Sequence, residues 1–366
     1  RFNGHFFKDH EAMELNREAL LILQMAADAD WQHVEPSIFG TLLMRAIDPA
    51  ERHRLGAQFT PREFVERVVR PAVEEPVRER WTAVQAEVLQ LRERKKTKSG
   101  EKRLRDFHDW LRKLQFLDPA CGSGNFLYVT MHLVKRIELE VIRALEEVTG
   151  QHETRLEEVG PWQFHGIEVK AWAREIAELV LWIGFHQFWK SHHDVQPPQP
   201  ILQDTGTLEC RDAVLTWDVL REDPARGRPD PTPRIEHPVT GKLVPDPETK
   251  LRYFEHVNPR QAPWPDADFV IGNPPYLGKQ QKRKQLGDGY VDALQEAYPE
   301  LPPASDYVMC WWHRAAELVA AGKTIRAGLI TTNSIRQKQN RGVIEDAATL
   351  GAHIVWAVPD HPWVDE

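Results

Sequence analysis

The sequence predicts an α/β protein with a doubly wound, mainly parallel sheet, preceded by a helical region. Three observations carry that prediction. Beyond Leu117, short apolar runs alternate with amphipathic helical stretches, the pattern of βαβ units whose crossover helices cover both faces of a parallel sheet. Phe116-Leu117-Asp118-Pro119-Ala120-Cys121-Gly122-Ser123-Gly124-Asn125-Phe126-Leu127 reads as strand, glycine-rich turn and helix start. Asp268-Phe269-Val270-Ile271-Gly272 is a second apolar run, and it ends in Asn273-Pro274-Pro275-Tyr276. In open sheets of this kind ligands sit at the carboxyl ends of the strands, where both motifs fall.

Taken in chain order, residues 1–114 form a helical lead-in and residues 115–366 the sheet domain. Leu15, Ala19, Leu20, Leu23 and Met25-Ala26 recur at helical spacing, which predicts an apolar stripe packed in the core. Glu63–Glu79 and Trp81–Leu114 are further helices. The charged run Arg92-Glu93-Arg94-Lys95-Lys96, with a break at Lys98-Ser99-Gly100, makes the second a solvated helical hairpin. The helix after the glycine turn is expected to run to about Val148 and to stop at Gly150 as its C′ residue. Lys170–Trp189 is another, with Ala171, Trp172, Ile176, Leu179, Val180 and Ile183 on its buried side. Over about residues 216–265 the alternation lapses. Asp223-Pro224, Pro229-Asp230-Pro231, His237-Pro238 and Pro245-Asp246-Pro247 interrupt regular structure. An exposed insertion is expected there, with a small hairpin around Val239–Leu243.

With 366 residues the chain can bury one large domain or two smaller ones, and 41% hydrophobic with 28% charged residues is ordinary for a globular protein. No apolar stretch approaches the ~20 residues of a membrane span, so no membrane partner is expected. Cys121, Cys210 and Cys310 are too widely separated for a disulfide framework or a zinc site. Cys121 lies in the glycine turn and the other two in core segments, so all three read as reduced thiols of a cytoplasmic protein. No metal site is expected: His192-His193 reads as a solvated loop. Glu248-Thr249-Lys250 has the Glu-x-Lys spacing of a nuclease, but its proline-rich surroundings offer no acidic partner. The chain opens at Arg1 inside a recognisable pattern and is expected to begin mid-protein.

The two motifs carry the chemistry. Consecutive prolines fix two φ angles and remove two N–H donors, and Asn273 before them is pushed to an extended backbone. The Asn273 side-chain oxygen and the Pro274 carbonyl can then accept together from one NH₂ group, while Tyr276 offers a face for stacking. Gly122 and Gly124 allow close backbone approach to a ligand, and Asp118 would face its amino or hydroxyl groups. This is not the phosphate-binding Gly-x-Gly-x-x-Gly, because Leu127 stands three residues after Gly124, and no Walker Lys-Ser/Thr pair follows.

Together the motifs resemble the S-adenosylmethionine-dependent N6-adenine DNA methyltransferases of the γ arrangement, cofactor motif first and catalytic motif later. The resemblance extends to the methylase core of large single-chain restriction–modification and phage-defence (BREX- or DISARM-like) enzymes. Arg1-Phe2-Asn3-Gly4 and the stretch from Trp31 through Pro36-Ser37-Ile38-Phe39-Gly40 are similar to their helical lead-in. The likeness implies a Rossmann-like methyltransferase sheet. It further implies cofactor contacts from Phe59, Thr60 and Pro61 in the covering segment 56–61, and from Asp118, Ala120, Cys121, Gly122, Gly124, Asn125 and Phe126 in the glycine turn. Ile167-Glu168-Val169 resembles the second strand, where Glu168 would take the ribose hydroxyls beside Val169. Leu208–Ala213 resembles the third, where Asp212 would accept from the cofactor's adenine amine beside Ala213. The Gly124-to-Glu168 spacing departs from the pattern, being about twice the ~20 residues usual in dinucleotide folds. Ser305-Asp306-Tyr307 would open a helix, Gly328–Asn333 would be the fifth strand and Ala352–Val358 a sixth. The family's C-terminal hairpin and target-recognition domain are expected to be missing from this chain.

The implied reaction is methyl transfer from S-adenosylmethionine to an adenine flipped out of double-stranded DNA, with Asn273, Pro274, Pro275 and Tyr276 as the catalytic loop. Other restriction or defence subunits are possible partners under that reading. The net charge of −8 argues against gripping DNA with the whole surface. A local contact could come from Lys279, Lys282, Arg283 and Lys284, directly after the catalytic loop; the bland reading of that run is a solvated loop. Two alternatives keep open the substrate and the activity. One is methylation of another planar amine, an RNA adenine or a protein glutamine. The other is a cofactor-binding DNA-recognition subunit without activity of its own.

Overall fold

Side-chain alternation along the central strands builds the molecule. In the computed structural model, which describes residues 14–29, 34–36, 38, 40, 60–151, 158–192, 205–230, 234–236, 242–246 and 249–359, five strands form one sheet. They are β1 (Phe116–Asp118), β2 (Phe164–Glu168), β3 (Leu208–Cys210), β4 (Phe269–Gly272) and β5 (Arg326–Leu329). Their spatial order is β5-β4-β1-β2-β3, and every neighbouring pair is parallel. This is a doubly wound sheet whose order reverses at β1 and β4, the switch point at which such folds bind ligands.

Phe116, Phe164, Phe269 and Ile271 point to one face, and Leu117, Ile167 and Val270 to the other. Phe116 stacks between its neighbours, with ring centroids 4.8 Å from Phe164 and 5.6 Å from Phe269. All these side chains are essentially inaccessible, as expected for strands covered on both faces.

The first face is covered by helices from the lead-in and the first crossovers. α1 (Arg17–Asp28) stands apart, while α2 (Arg62–Val69) passes through a π-helical turn at Arg70–Glu74 into α3 (Glu75–Glu93). α4 (Thr97–Leu111), α5 (Asn125–Thr149) and α6 (Ala171–His192) complete the layer. The second face carries α7 (Lys279–Leu286), α8 (Asp288–Ala297), α9 (Met309–Ala320) and α10 (Lys338–Thr349). α5 ends at Gly150 with φ +69°, the left-handed C′ conformation expected of that glycine. Among the described residues no helix is long and apolar enough to cross a membrane.

Several elements differ from expectation. α1 buries none of its residues, and Ile22 and Met25 are 62% and 73% exposed. Leu20-Leu21-Ile22-Leu23 are consecutive, so at 100° per residue they encircle the helix and do not form one stripe. The α3–α4 hairpin turns at Arg94-Lys95-Lys96, where Lys95 takes φ +58°, and Ser99-Gly100 lie inside α4. It is less solvated than its charge suggests: Val77, Trp81, Val84 and Val88 meet Leu104, Phe107 and Leu111 in the core. On α6 the buried side includes Ile176 and Val180 but excludes Ala171, which is exposed. β5 begins two residues before the expected Gly328 and ends at Leu329; Asn333 opens a short 3₁₀ turn. Residues 352–359 form no strand. Among the described residues this apolar run pairs with no strand, and Val355 stays 73% exposed.

The proline-rich insertion is a two-stranded antiparallel arm. Its ladders nest from the root outward: 215–216 with 260–261, 219–222 with 254–257, 228–229 with 250–251, and 234–236 with 243–245. The outermost pairing is the expected hairpin, although residues 237–241 of its turn lie outside the described residues, as does Glu248. Cys121 and Cys310 are buried free thiols; Cys210, at the end of β3, is exposed and so is not the core residue expected. His192 closes α6 and is not in a loop, because the helix runs three residues past Trp189, while His193 lies outside the described residues.

Candidate active site

The carboxyl ends of β1, β2, β3 and β4 open into one cavity of about 330 Å³, at the lower end of the range for small-molecule sites. The glycine turn and the Asn-Pro-Pro-Tyr loop both line it.

At the end of β1, Asp118 is 1% exposed and its Oδ1 accepts from the Ala120 N–H at 3.0 Å. β4 passes so close that a Cβ on Gly272 would lie 2.5 Å from Asp118 Oδ1. The turn that follows is held by the Cys121 N–H donating to the Ile167 carbonyl (3.2 Å) and the Gly124 N–H donating to that of Cys121 (2.8 Å). Gly124 adopts φ +82° and abuts α6, where a Cβ would meet Ala177 at 3.0 Å. Only glycine satisfies both demands.

Glu168, at the end of β2, braces the same turn. Its Oε2 accepts from the Gly122 N–H at 3.1 Å and its Oε1 from the Lys170 N–H at 3.0 Å. Burial raises its pKa against those two hydrogen bonds. Burial, with Glu168 nearby, also pushes Asp118 up to about 8. Two desolvated carboxyls beside each other favour a ligand that brings hydroxyl or amine donors.

After β3, Asp212 Oδ1 accepts from the Val214 and Leu215 N–H groups (2.7 and 3.1 Å). Its Oδ2 accepts from the Tyr290 hydroxyl at 2.7 Å, and Tyr290 and Tyr307 share a hydroxyl–hydroxyl bond of 2.7 Å. A carboxylate offers about four lone-pair positions, so Asp212 retains room for one further donor.

In the Asn273–Tyr276 loop the Asn273 Nδ2 donates to Thr60 Oγ1 at 2.9 Å, and its Oδ1 accepts from the Tyr276 hydroxyl. Thr60 is buried, and its carbonyl accepts from Asn125 Nδ2 at 2.6 Å. Burial raises the Tyr276 phenol well above its ordinary range, so it remains a donor.

Most residues singled out in the sequence meet in this cavity. Thr60, Asp118, Ala120, Cys121, Gly122, Asn125, Phe126, Glu168, Val169, Asp212, Ala213 and the whole of Asn273–Tyr276 line it. Pro61 and Gly124 do not line it; they cap α2 and α5. Phe59 and the rest of segment 56–59 lie outside the described residues. The sequence reading missed Trp172, Tyr290, Tyr307 and Trp311 as lining residues. Trp311 Nε1 donates to the Pro119 carbonyl at 3.0 Å, fixing the glycine turn from the second face. Tyr307 belongs to the Ser305-Asp306-Tyr307 motif, but nothing in its local pattern points at the cavity.

The basic run forms α7 and divides in two. Lys282 is 4% exposed, and its Nζ donates to the Ser305 carbonyl at 2.5 Å. It faces inward as a structural ammonium, because the helical turn puts it on the buried side of α7. Arg283 is engaged by Asp288 (3.1 Å) and Asp292 (3.0 Å). Lys279 and Lys284 stay exposed.

The model of the MmeI DNA-methyltransferase domain family matches residues 92–366. "DNA methyltransferase A" of Bacillus subtilis (strain 168) is 24% identical over 371 residues, covering 99% of this chain and 36% of that protein. The solved structure of the Type IIL restriction-modification enzyme MmeI in complex with DNA superimposes with a TM-score of 0.63 at 23% identity, covering 96% of this chain and 40% of that one. That similarity shows a shared fold. The chain thus spans well under half the length of these relatives.

Proposed function

The chain belongs to the MmeI DNA-methyltransferase domain family, and from that premise we propose that it methylates N6 of an adenine flipped out of double-stranded DNA, using S-adenosylmethionine, within a restriction–modification or phage-defence enzyme. The observation that carries the reading is the single cavity, which joins a carboxyl-rich end to the Asn273 acceptor.

The donor-hungry end fits the cofactor's chemistry. Glu168 would take ribose hydroxyls, Asp212 has room for an adenine amine, and Asp118 would meet an amino group. Asn125 Oδ1, buried and without a hydrogen-bond partner among the described residues, is a further acceptor at the cavity. When bound, S-adenosylmethionine supplies an electrophilic methyl group on a sulfonium.

At the other end, Asn273 Oδ1 and the Pro274 carbonyl would accept together from the target amine. Adenine N6 is a poor nucleophile because its lone pair is delocalised into the ring. Two acceptors on its N–H bonds favour a tetrahedral nitrogen and stabilise the positive charge that develops there. Holding the amine in line supplies much of the remaining acceleration. Tyr276 would stack on the extruded base. Cys121 is no nucleophile: burial, then the neighbouring Asp118 and Glu168, hold its thiol pKa well above the usual range. The amine's proton leaves after transfer, so no general base is assigned. Lys279 and Lys284 would reach the DNA backbone.

The test is radiolabelled methyl transfer by the full-length protein into duplex DNA, followed by nucleoside analysis. Label in N6-methyladenine is the expected result. Label confined to cytosine, RNA or protein, or no transfer at all, overturns the assignment.

A further inference from the structure

We propose that Thr60 is a positioning residue which anchors the NH₂ end of the Asn273 carboxamide and leaves its oxygen to the target amine. The inference rests on the methyl-transfer reading and assigns a part in it to a residue that the sequence resemblance gave to cofactor cover.

A carboxamide has nearly the same shape after a half-turn, but the turn exchanges an acceptor for two donors. An Asn273 presenting Nδ2 to the amine would set donor against donor. Two neighbours hold the carboxamide in the productive orientation. Thr60 Oγ1 accepts from Nδ2 at 2.9 Å, and Tyr276 supplies a hydroxyl donor to Oδ1. Tyr276 alone is a weak determinant, since it belongs to the same loop and moves with it. Thr60 lies just before Pro61, the N-cap of α2, and is fixed independently. Its carbonyl is held by Asn125 Nδ2 at 2.6 Å, and Asn125 is the first residue of α5, directly after the glycine turn. Both residues are more than nine-tenths buried. The chain of bonds therefore runs from the cofactor turn through Thr60 to the target loop, and the hydroxyl's acceptor role is taken up by Asn273.

Thr60→Val keeps the shape and removes the acceptor; Thr60→Ser restores it. In the full-length protein, Thr60→Val should lower kcat by about tenfold to a hundredfold, the scale of a misplaced reacting group. Its affinity for S-adenosylmethionine by calorimetry should stay within about twofold, and Thr60→Ser should recover kcat to within about threefold. Wild-type kcat in Thr60→Val overturns the proposal. So does a loss of cofactor affinity equal to the loss of rate, which would make Thr60 a cofactor contact, and so does failure of serine to rescue, which would make it packing. If the wild-type protein transfers no methyl group, the methyl-transfer reading itself falls and takes this role with it. A fault in the Thr60 assignment alone leaves the wild type active.

Discussion

Tyr290 reaches Asp212 from a helix 78 residues further along the chain, donating its hydroxyl to Oδ2 at 2.7 Å. The third strand and the helices after the basic run are thereby joined inside the cavity. Tyr290→Phe leaves Asp212 one donor short and removes the partner of the Tyr307 hydroxyl. Unmaking such buried bonds costs about 1–3 kcal/mol. Urea unfolding should show a loss of that size; unchanged stability would mean that solvent replaces the phenol.

On the proposed reading, Asn273→Ala removes an acceptor for the target amine and leaves the carboxyl-rich end of the cavity in place. Methyl transfer should fall by about a hundredfold or more, comparable to loss of one electrostatic group in other sites. Cofactor affinity by calorimetry should remain near wild type. Retained turnover with weakened cofactor binding would move Asn273 to the other end of the cavity.

Asp118 provides a pH signature. Its folded pKa, pushed up to about 8 from an ordinary 3.8, means that the ligand-free folded state binds a proton which the unfolded chain has released. The contribution to stability is fully present below the ordinary value and is lost as pH rises through the folded one. Glu168, also raised, acts in the same direction. In urea titrations from about pH 4 to about pH 8, the stability of Asp118→Asn should rise relative to that of the wild type. A slope unaltered by the substitution would place the source elsewhere.

The divided basic run separates binding from folding. Charge reversal at Lys279 and Lys284 should weaken DNA binding and reduce the magnitude of its salt slope by about one for each phosphate no longer neutralised. Lys282→Ala should instead lower the unfolding midpoint, because it empties a site where the ammonium bonds to the Ser305 carbonyl. Equal DNA-binding losses from all three would make α7 a uniform phosphate-binding helix.

Much of this site is legible in the sequence because its parts lie where local rules are strong. Gly124 and Gly150 mark backbone conformations that other residues resist, and the period-2 burial of Phe116-Leu117 and Phe269-Val270-Ile271 follows from pleating. Asp118, Glu168 and Asp212 each sit at or just past a strand end, where the topology makes a ligand site. Tyr290, Tyr307 and Trp311 are harder to find. Helical periodicity marks them as inward-facing, but whether the inside is packed core or cavity wall depends on elements far away in sequence. Lys282 misleads for a similar reason: seven polar residues in a row, Lys279 to Gln285, look solvated until the helix turns one of them inward. Ile354–Val358 is an apolar, β-branched-rich run like a buried strand, yet a strand also needs a neighbouring edge.

The close approach of Gly272 to Asp118 sets a limit on redesign. On the proposed reading, the methyl-donor end and the acceptor loop are separated by backbone packing in a fixed parallel register, with Leu117 opposite Val270, and not by adjustable side chains. Substitutions around Tyr276 or Asp212 can change which molecules fit each end. They cannot change how far apart the two reactants are held. A donor with a bulkier transferable group would have to find its space by displacing Tyr276, because β1 and β4 have no slack to give.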